Sequence, residues 1–275
     1  MPTVYSHSRL SSFENCKKQF HFRYVLEVPT DTEGIEAFVG KLVHKVLERL
    51  YEFVDDGMVP SVEKVVARYH EWWENGDEKK GVKAYDAERV RVVRTGTPVS
   101  EYRSLGERCL RNYYRLNYPF DADETLGIEE KVEFKLDEAG EYPMVGFIDR
   151  VVRARDGAIE IHDYKTGRWV PSQKNLDKDR QLALYQIALA DTYGTDQPMR
   201  LVWHYVQHAK VRTSTRTPEE LAALRHDTMA LIDRIGDETE YKPKKINLCG
   251  WCEYKPICPL WTEEDASATT LEGGD

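Results

Sequence analysis

Asp163-Tyr164-Lys165 carries a carboxylate and an ammonium two residues apart. On a strand that spacing sends both side chains to one face. Here it is also the face of Ile159 and Ile161, so apolar residues lead directly into a charge pair. Asp149 shares parity with Val145 and Phe147 at the end of the preceding apolar run. Two carboxylates and one ammonium are therefore expected to converge at the margin of a buried sheet. Carboxylates beside low-dielectric walls repel one another unless a cation lies between them, which suits Mg²⁺ or Mn²⁺ bound through oxygen. A metal so held acidifies a bound water and offsets charge developing on a phosphate. Lys165 would orient the attacking water or stabilise the phosphate as it is attacked. The same residues also read as ordinary ion pairs, Asp149 with Arg150 and Asp163 with Lys165, and D-x-K alone is a weak signal.

His44 lies four residues after Gly40 and four before Glu48, which puts the three along one edge of a helix. Gly40 would let a backbone or ligand come close. A lone helical histidine is more often a boundary residue than a ligand, although an imidazole among carboxylates would favour Mn²⁺ over Mg²⁺. Gln181 and Tyr185 are one helical turn apart and can face a common site, where hydrogen bonding and plain packing are both open. Of five cysteines, Cys16 stands alone near the start, while Cys249, Cys252 and Cys258 follow C-x₂-C-x₅-C. Cys109 is the spare. The spacing favours ligation over disulfides in a reducing compartment, and both zinc and an iron–sulfur cluster accept four thiolates. Either would pin the two ends of the domain together and restrict the unfolded chain.

The elements that must position these groups follow from periodicity. Residues 8–24 place Leu10, Phe13, Phe20 and Tyr24 at helical spacing, with Ser8 as the expected cap. A helix from about Ile35 to Val54 carries a broad apolar stripe from Phe38 to Tyr51, with Gly57 as its stop. Residues 61–75 and 99–118 also read as helices, separated by a polar stretch rich in glycine. From residue 128 the pattern turns to alternation, with Glu130 sharing the parity of Ile128, Val132, Phe134 and Leu136. A second strand, 144–152, is apolar on both faces, and a third, 158–165, follows the Arg155-Asp156-Gly157 turn, completing an antiparallel meander. A helix from about Leu176 to Tyr193 and a strand bearing Leu201, Trp203 and Tyr205 imply a right-handed crossover. Thr217-Pro218-Glu219-Glu220 opens a capped helix that Gly236 closes.

The 275 residues carry a formal charge of −9, which argues against a protein that coats nucleic acid. Glu263, Glu264, Asp265, Glu272 and Asp275 lie in a C-terminal tail that reads as disordered, and without them the charge is −4. Lys17, Lys18 and Arg23, together with Lys165, Arg168, Lys174, Lys178 and Arg180, leave room for a local basic groove. No apolar run approaches the roughly 18 residues of a membrane span, and residues 1–12 lack the apolar core of a signal peptide. A cytoplasmic protein without a membrane partner is expected.

Together these pieces resemble the RecB-like branch of the PD-(D/E)XK nucleases, including AddB-type recombination nucleases and CRISPR-adaptation exonucleases. The resemblance rests on Ser8-Arg9-Leu10 with Phe13 and Cys16, Gly40 to Glu48 around His44, and Gly146-Phe147-Ile148-Asp149-Arg150. It extends through Asp163-Tyr164-Lys165-Thr166-Gly167, Gln181 with Tyr185, and the C-terminal cysteine triplet. It implies an α/β fold: a central mixed sheet flanked by helices, a helical insertion over about 58–120, and a cluster-binding region made of 1–24 with 245–262. Residues 1–262 would then form one nuclease domain and 263–275 an acidic tail. It further implies that His44, Asp149 and Asp163 bind the catalytic Mn²⁺ or Mg²⁺ and that Lys165 assists the water. Gln181 and Tyr185 would be secondary site residues, and Cys16, Cys249, Cys252 and Cys258 would hold a [4Fe–4S] cluster. For His44 the resemblance reverses the boundary-residue reading.

Large members of that branch carry helicase modules, but no G-x-x-x-x-G-K-[ST] phosphate loop occurs here. The expected activity is therefore a DNA exonuclease on single strands or DNA ends, in recombination, repair or replication, with a separate helicase as a possible partner. Trp72, Trp73, Tyr114 and Tyr118 are candidates for base stacking, with helix packing the commoner role for most of them. Two other readings compete: a catalytically silent cluster-bearing scaffold that binds DNA, and a zinc-stabilised endonuclease.

Overall fold

The structure is a computed structural model, and it describes residues 3–262; the expected acidic tail at 263–275 lies outside them. In chain order, α1 (His7–Asn15) and α2 (Lys17–Phe20) lead through β1 (Glu33–Gly34) to α3 (Ile35–Asp55) and α4 (Val62–Asn75). β2 (Val90–Arg91), α5 (Val99–Asn117), β3 (Asp123–Lys135), β4 (Pro143–Ala154) and β5 (Ile159–Lys165) follow. The chain then forms α6 (Gln173–Leu176), α7 (Gln181–Tyr193), β6 (Met199–Tyr205), β7 (Lys210–Ser214) and α8 (Pro218–Gly236). Five strands make one mixed sheet in the order β3-β4-β5-β6-β7, with β5 and β6 parallel and the other neighbours antiparallel.

Helices cover the sheet with two separate cores. On one face Ile148, Val151, Ile159, Ile161, Leu201 and Trp203 pack under α7, joined by Leu10 and Phe13 of α1 and Leu231 and Ile232 of α8. On the other, the stripe of α3 from Ile35 to Tyr51 packs with Tyr69 and Trp73 of α4, Leu110 and Tyr113 of α5, and Tyr164 of β5. Trp72 and Trp73 are buried, which makes them packing residues, whereas Tyr118 is exposed and stacks on Tyr114. No described helix is long and apolar enough to cross a membrane.

The meander, the parallel β5–β6 pair and the capping box at Thr217 and Glu220 match the sequence pattern; in the box, Glu220 N–H donates to Thr217 Oγ1 at 3.2 Å and Thr217 N–H to Glu220 Oε2 at 2.9 Å. Four details differ. The first helix is capped by Ser6, not Ser8, with Arg9 N–H donating to Ser6 Oγ. It breaks at Cys16, which is extended at φ −156° and ψ 108°. The helix expected over 176–193 is split, because side chains capture its backbone groups: Arg216 donates to the carbonyls of Leu176 and Asp179, and Asp179 Oδ1 accepts Gln181 N–H at 2.9 Å. Finally, Phe147 on β4 is 57% exposed, because helices cover both faces only over the later part of that strand.

Gly106 in α5 leaves no room for a side chain in the second core, since a Cβ there would lie 2.1 Å from the buried Tyr69 Oη. Gly106→Ala is expected to lower stability by about 1–3 kcal/mol through overpacking, despite the better helix propensity of alanine. Urea denaturation checks this, and an unchanged or raised midpoint would refute the packing.

Candidate metal and hydrolytic site

The β4–β5 ladder ends at Arg150↔His162. Beyond it Tyr164 N–H donates instead to Asp149 Oδ2 at 2.7 Å, so the carboxylate takes the place of the missing strand acceptor. Asp149 Oδ1 lies 3.2 Å from His44 Nδ1 on α3, while His44 Nε2–H donates to the Tyr164 carbonyl at 2.7 Å. That second bond fixes the tautomer when the ring is neutral: with Nε2 protonated, Nδ1 offers its lone pair to a cation. Without a cation, burial disfavours charge on the ring, but the hydrogen bond and charge of Asp149, with Asp163 and the Tyr164 carbonyl, raise the His44 pKa to about 9. A proton on Nδ1 then occupies the position a metal would take.

Glu129 completes the group. Ligand atoms of His44, Glu129 and Asp149 lie within 4.8 Å of one another. Glu129 faces Asp149 across β3–β4 and takes φ +49°, a backbone conformation that breaks side-chain alternation. On β3 itself Ile128 packs with the second core and Val132 with the first, and on the paired β4 Ile148 packs under α7 while Arg150 stacks on Tyr51 of the opposite core. Regular alternation would set Glu130 with the inward apolar residues, and Glu130 lies outside the group. Burial and the Asp149 charge raise the Glu129 pKa, against the opposing effect of His44.

Asp163 and Lys165 form the adjoining half of the site. Lys165 Nζ lies 2.9 Å from Asp163 Oδ1 and 2.8 Å from Oδ2, and it donates to Gln181 Oε1 at 2.9 Å. Burial raises the Asp163 pKa and Asp149 adds to the shift, while Lys165 and His44 oppose it. Burial disfavours the Lys165 ammonium, yet Asp163 raises its pKa overall. Three carboxylates thus share one margin of the sheet, and burial, with the Asp149 charge beside them, holds the Glu129 and Asp163 carboxyls above their ordinary pKa. Two donor oxygens and one imidazole suit Mn²⁺ and also accommodate Mg²⁺. Asp163 is tied to Lys165 and stands outside the tight group of three. Tyr185 packs against β4 at Gly146, where a Cβ would sit 2.3 Å from its ring. Gly40 brings α3 against the end of β5, since a Cβ there would lie 3.1 Å from Thr166 Oγ1.

A buried polar layer lies behind the site. Arg150, 2% exposed, makes two hydrogen bonds to Asp123 at 2.8 and 3.1 Å and sits 3.9 Å from the Tyr51 ring centre. His162 joins Glu160 at 2.9 Å and His204 at 2.8 Å.

The four cysteines of the predicted set, Cys16, Cys249, Cys252 and Cys258, line a single cavity of about 720 Å³. Cys249 Sγ accepts Ile246 N–H at 3.3 Å. Burial, with Glu253 and the Cys16 and Cys258 thiols nearby, raises the Cys252 pKa to about 11, against a lowering backbone hydrogen bond from Tyr254. Arg23 and Gln19 both donate to Glu253, and Tyr254 Oη donates to the Val28 carbonyl, so the two chain ends are bound together around the thiols. This donor set fits four-thiolate ligation. Cys109 lies apart in the second core, where burial raises its pKa to about 12.

A family model described as the PD-(D/E)XK nuclease superfamily matches residues 4–259. Among solved structures, a protein from Eubacterium rectale, named provisionally as an exonuclease, is similar at a TM-score of 0.50 and 14% identity, over 91% of this chain and 87% of that one. The protein SSO0001 aligns over 92% of this chain and 95% of its own, at 14% identity and a TM-score of 0.36. At 14% identity the first of these likenesses speaks to the fold alone. No curated protein matches the sequence.

The placement of Glu129 generates a direct test by calorimetric titration with Mn²⁺. Glu129→Gln is expected to weaken binding at least about tenfold, while Glu130→Gln leaves it unchanged. Equal behaviour of the two variants would remove Glu129 from the site.

Proposed function

The chain belongs to the PD-(D/E)XK nuclease superfamily, and on that premise we propose that it is a metal-dependent DNA exonuclease acting on single strands or DNA ends. The observation that carries this reading is the pairing of two half-sites: His44, Glu129 and Asp149 within 4.8 Å of one another, and Lys165 gripped by Asp163 and Gln181. The first half would hold Mn²⁺ or Mg²⁺, with Asp163 as a further oxygen donor. A bound divalent cation would supply Lewis-acid activation of water and of the scissile phosphate.

The remaining work falls to side chains. His44 Nε2–H stays on the Tyr164 carbonyl, which keeps Nδ1 available. The Lys165 ammonium has three donors, and with Asp163 and Gln181 engaging two, one remains to steer water or to bond a phosphate oxygen. Asp163 holds that ammonium charged and oriented. Tyr185, packed on Gly146, supports the helix that presents Gln181.

The RecB-like order of motifs supports the exonuclease reading and a role in recombination, repair or replication, with unwinding left to a separate helicase. It also supports a [4Fe–4S] cluster on Cys16, Cys249, Cys252 and Cys258, in which role the cluster would clamp the chain ends. A cytoplasmic location accompanies this reading.

Digestion of end-labelled single-stranded and duplex DNA with Mn²⁺ tests the activity. Lys165→Ala and Asp163→Asn are expected to lower the rate on the order of 10²–10³-fold while DNA binding in EDTA is retained. Near-normal cleavage by either variant would overturn the assignment.

Protein purified without oxygen is expected to contain roughly four irons per chain, lost in Cys16→Ser and kept in Cys109→Ser. Stoichiometric zinc without iron would refute the cluster.

A further inference from the structure

A second cavity of about 720 Å³ lies between α3, α5 and the loop that leaves β5, and Thr166 and Trp169 line it. Trp169, four residues after Lys165, is 86% exposed, the most exposed of the large apolar side chains described. A tryptophan left in water beside a hydrolytic site loses apolar burial that any packed rotamer would recover. Its loop is nonetheless anchored, since the Arg168 carbonyl accepts a hydrogen bond from His208 Nε2 at 2.9 Å. Two guanidiniums line the same groove without a counter-charge: among the described residues neither Arg108 nor Arg168 has an ion-pair or side-chain hydrogen-bond partner. The acids there are Glu36, paired with Arg94 at 3.6 Å, and Glu101.

The groove meets the metal site at one thin point. Thr166 lines the groove, Gly40 lines the pocket of about 430 Å³ that His44 and Glu129 also line, and a Cβ at Gly40 would lie 3.1 Å from Thr166 Oγ1. An exposed aromatic plane with unpaired arginines matches an unpaired polynucleotide, which offers bases for stacking and phosphates for charge. A paired duplex hides those base faces.

We propose that this groove is the strand guide of the enzyme: it takes an unpaired stretch of the substrate DNA, with Trp169 stacking a base and Arg108 and Arg168 meeting phosphates. The inference rests on the nuclease reading above and assigns the surface that would hold an unpaired strand. Trp169 and both arginines are positioning residues.

Fluorescence anisotropy of a labelled oligothymidylate, measured in EDTA with the full chain, tests the guide. Trp169→Ala is expected to weaken binding roughly tenfold. Arg108→Gln and Arg168→Gln are each expected to reduce the slope of log affinity against log salt by about 0.7. A blunt hairpin duplex should be bound with little change in any variant. Hydrolysis of bis(p-nitrophenyl) phosphate with Mn²⁺, a substrate too small to occupy the groove, should proceed at the wild-type rate in all three. Wild-type affinity of all three variants for the oligothymidylate would overturn the guide, as would an equal loss for the duplex, and in both cases continued hydrolysis of the small diester leaves the nuclease reading standing. Failure of the wild type to hydrolyse any phosphodiester would remove the nuclease reading instead, while the anisotropy data still decide whether the groove binds single strands.

Discussion

The candidate site depends on the parting of β4 and β5 at Asp149. A regular ladder would continue to pair backbone with backbone, and Asp149 would project into a closed sheet. Instead its carboxylate accepts the Tyr164 N–H and touches His44 Nδ1, so one side chain joins β4, β5 and α3. A buried N–H needs an acceptor, and here the acceptor is also a metal-ligand candidate. Strand geometry and site geometry therefore cannot be changed separately. The same opening exposes the Tyr164 carbonyl, which fixes the orientation of the His44 ring.

Charge placement explains why the opening is not simply filled by apolar residues. Glu129, Asp149 and Asp163 crowd one side of the sheet margin, with Lys165 as the nearest cation of the hydrolytic half. On the opposite face, the buried Arg150 is matched by Asp123 and by the Tyr51 ring. A charge removed from water survives only with such partners. Both faces thus carry polar groups where β4 passes between the two cores, and only the carboxylate-rich side remains open to a cation. The cysteine region abuts this arrangement: Trp251, between Cys249 and Cys252, lines both the thiol cavity and the groove beside Thr166. Ligation of the thiols would therefore stiffen one wall of the groove as well as clamp the chain ends.

Much of this was legible in the sequence where a regular period applies. The α3 stripe, the shared face of Asp163 and Lys165, and the Thr217 capping box are consequences of helical and strand repeats, and the structure reproduces each. The four cysteines that the spacing singled out line one cavity. Readings failed where the period breaks. Alternation set Glu130 among the inward-facing residues and left Glu129 aside, and the φ of +49° at Glu129 cancels that alternation. Two acids in a row opposite Asp149 were the one available signal. At Cys16 a single extended residue interrupts the helix, and before α7 side chains capture backbone groups; no repeat encodes either. Residues 144–152 are apolar on both faces, yet Phe147 is exposed, because apolar sequence on a strand does not guarantee a helix over every part of both faces.

Strand parting would leave His44 Nδ1 as a ligand to the metal. Pulsed electron paramagnetic resonance of the Mn²⁺-loaded protein, grown with ¹⁵N-labelled histidine, tests this at the atom concerned. Nitrogen coupling to the Mn²⁺ spin is expected that shifts with the isotope, disappears in His44→Ala and persists in His7→Ala. A Mn²⁺ spectrum without histidine coupling, or one unchanged by His44→Ala, would contradict it.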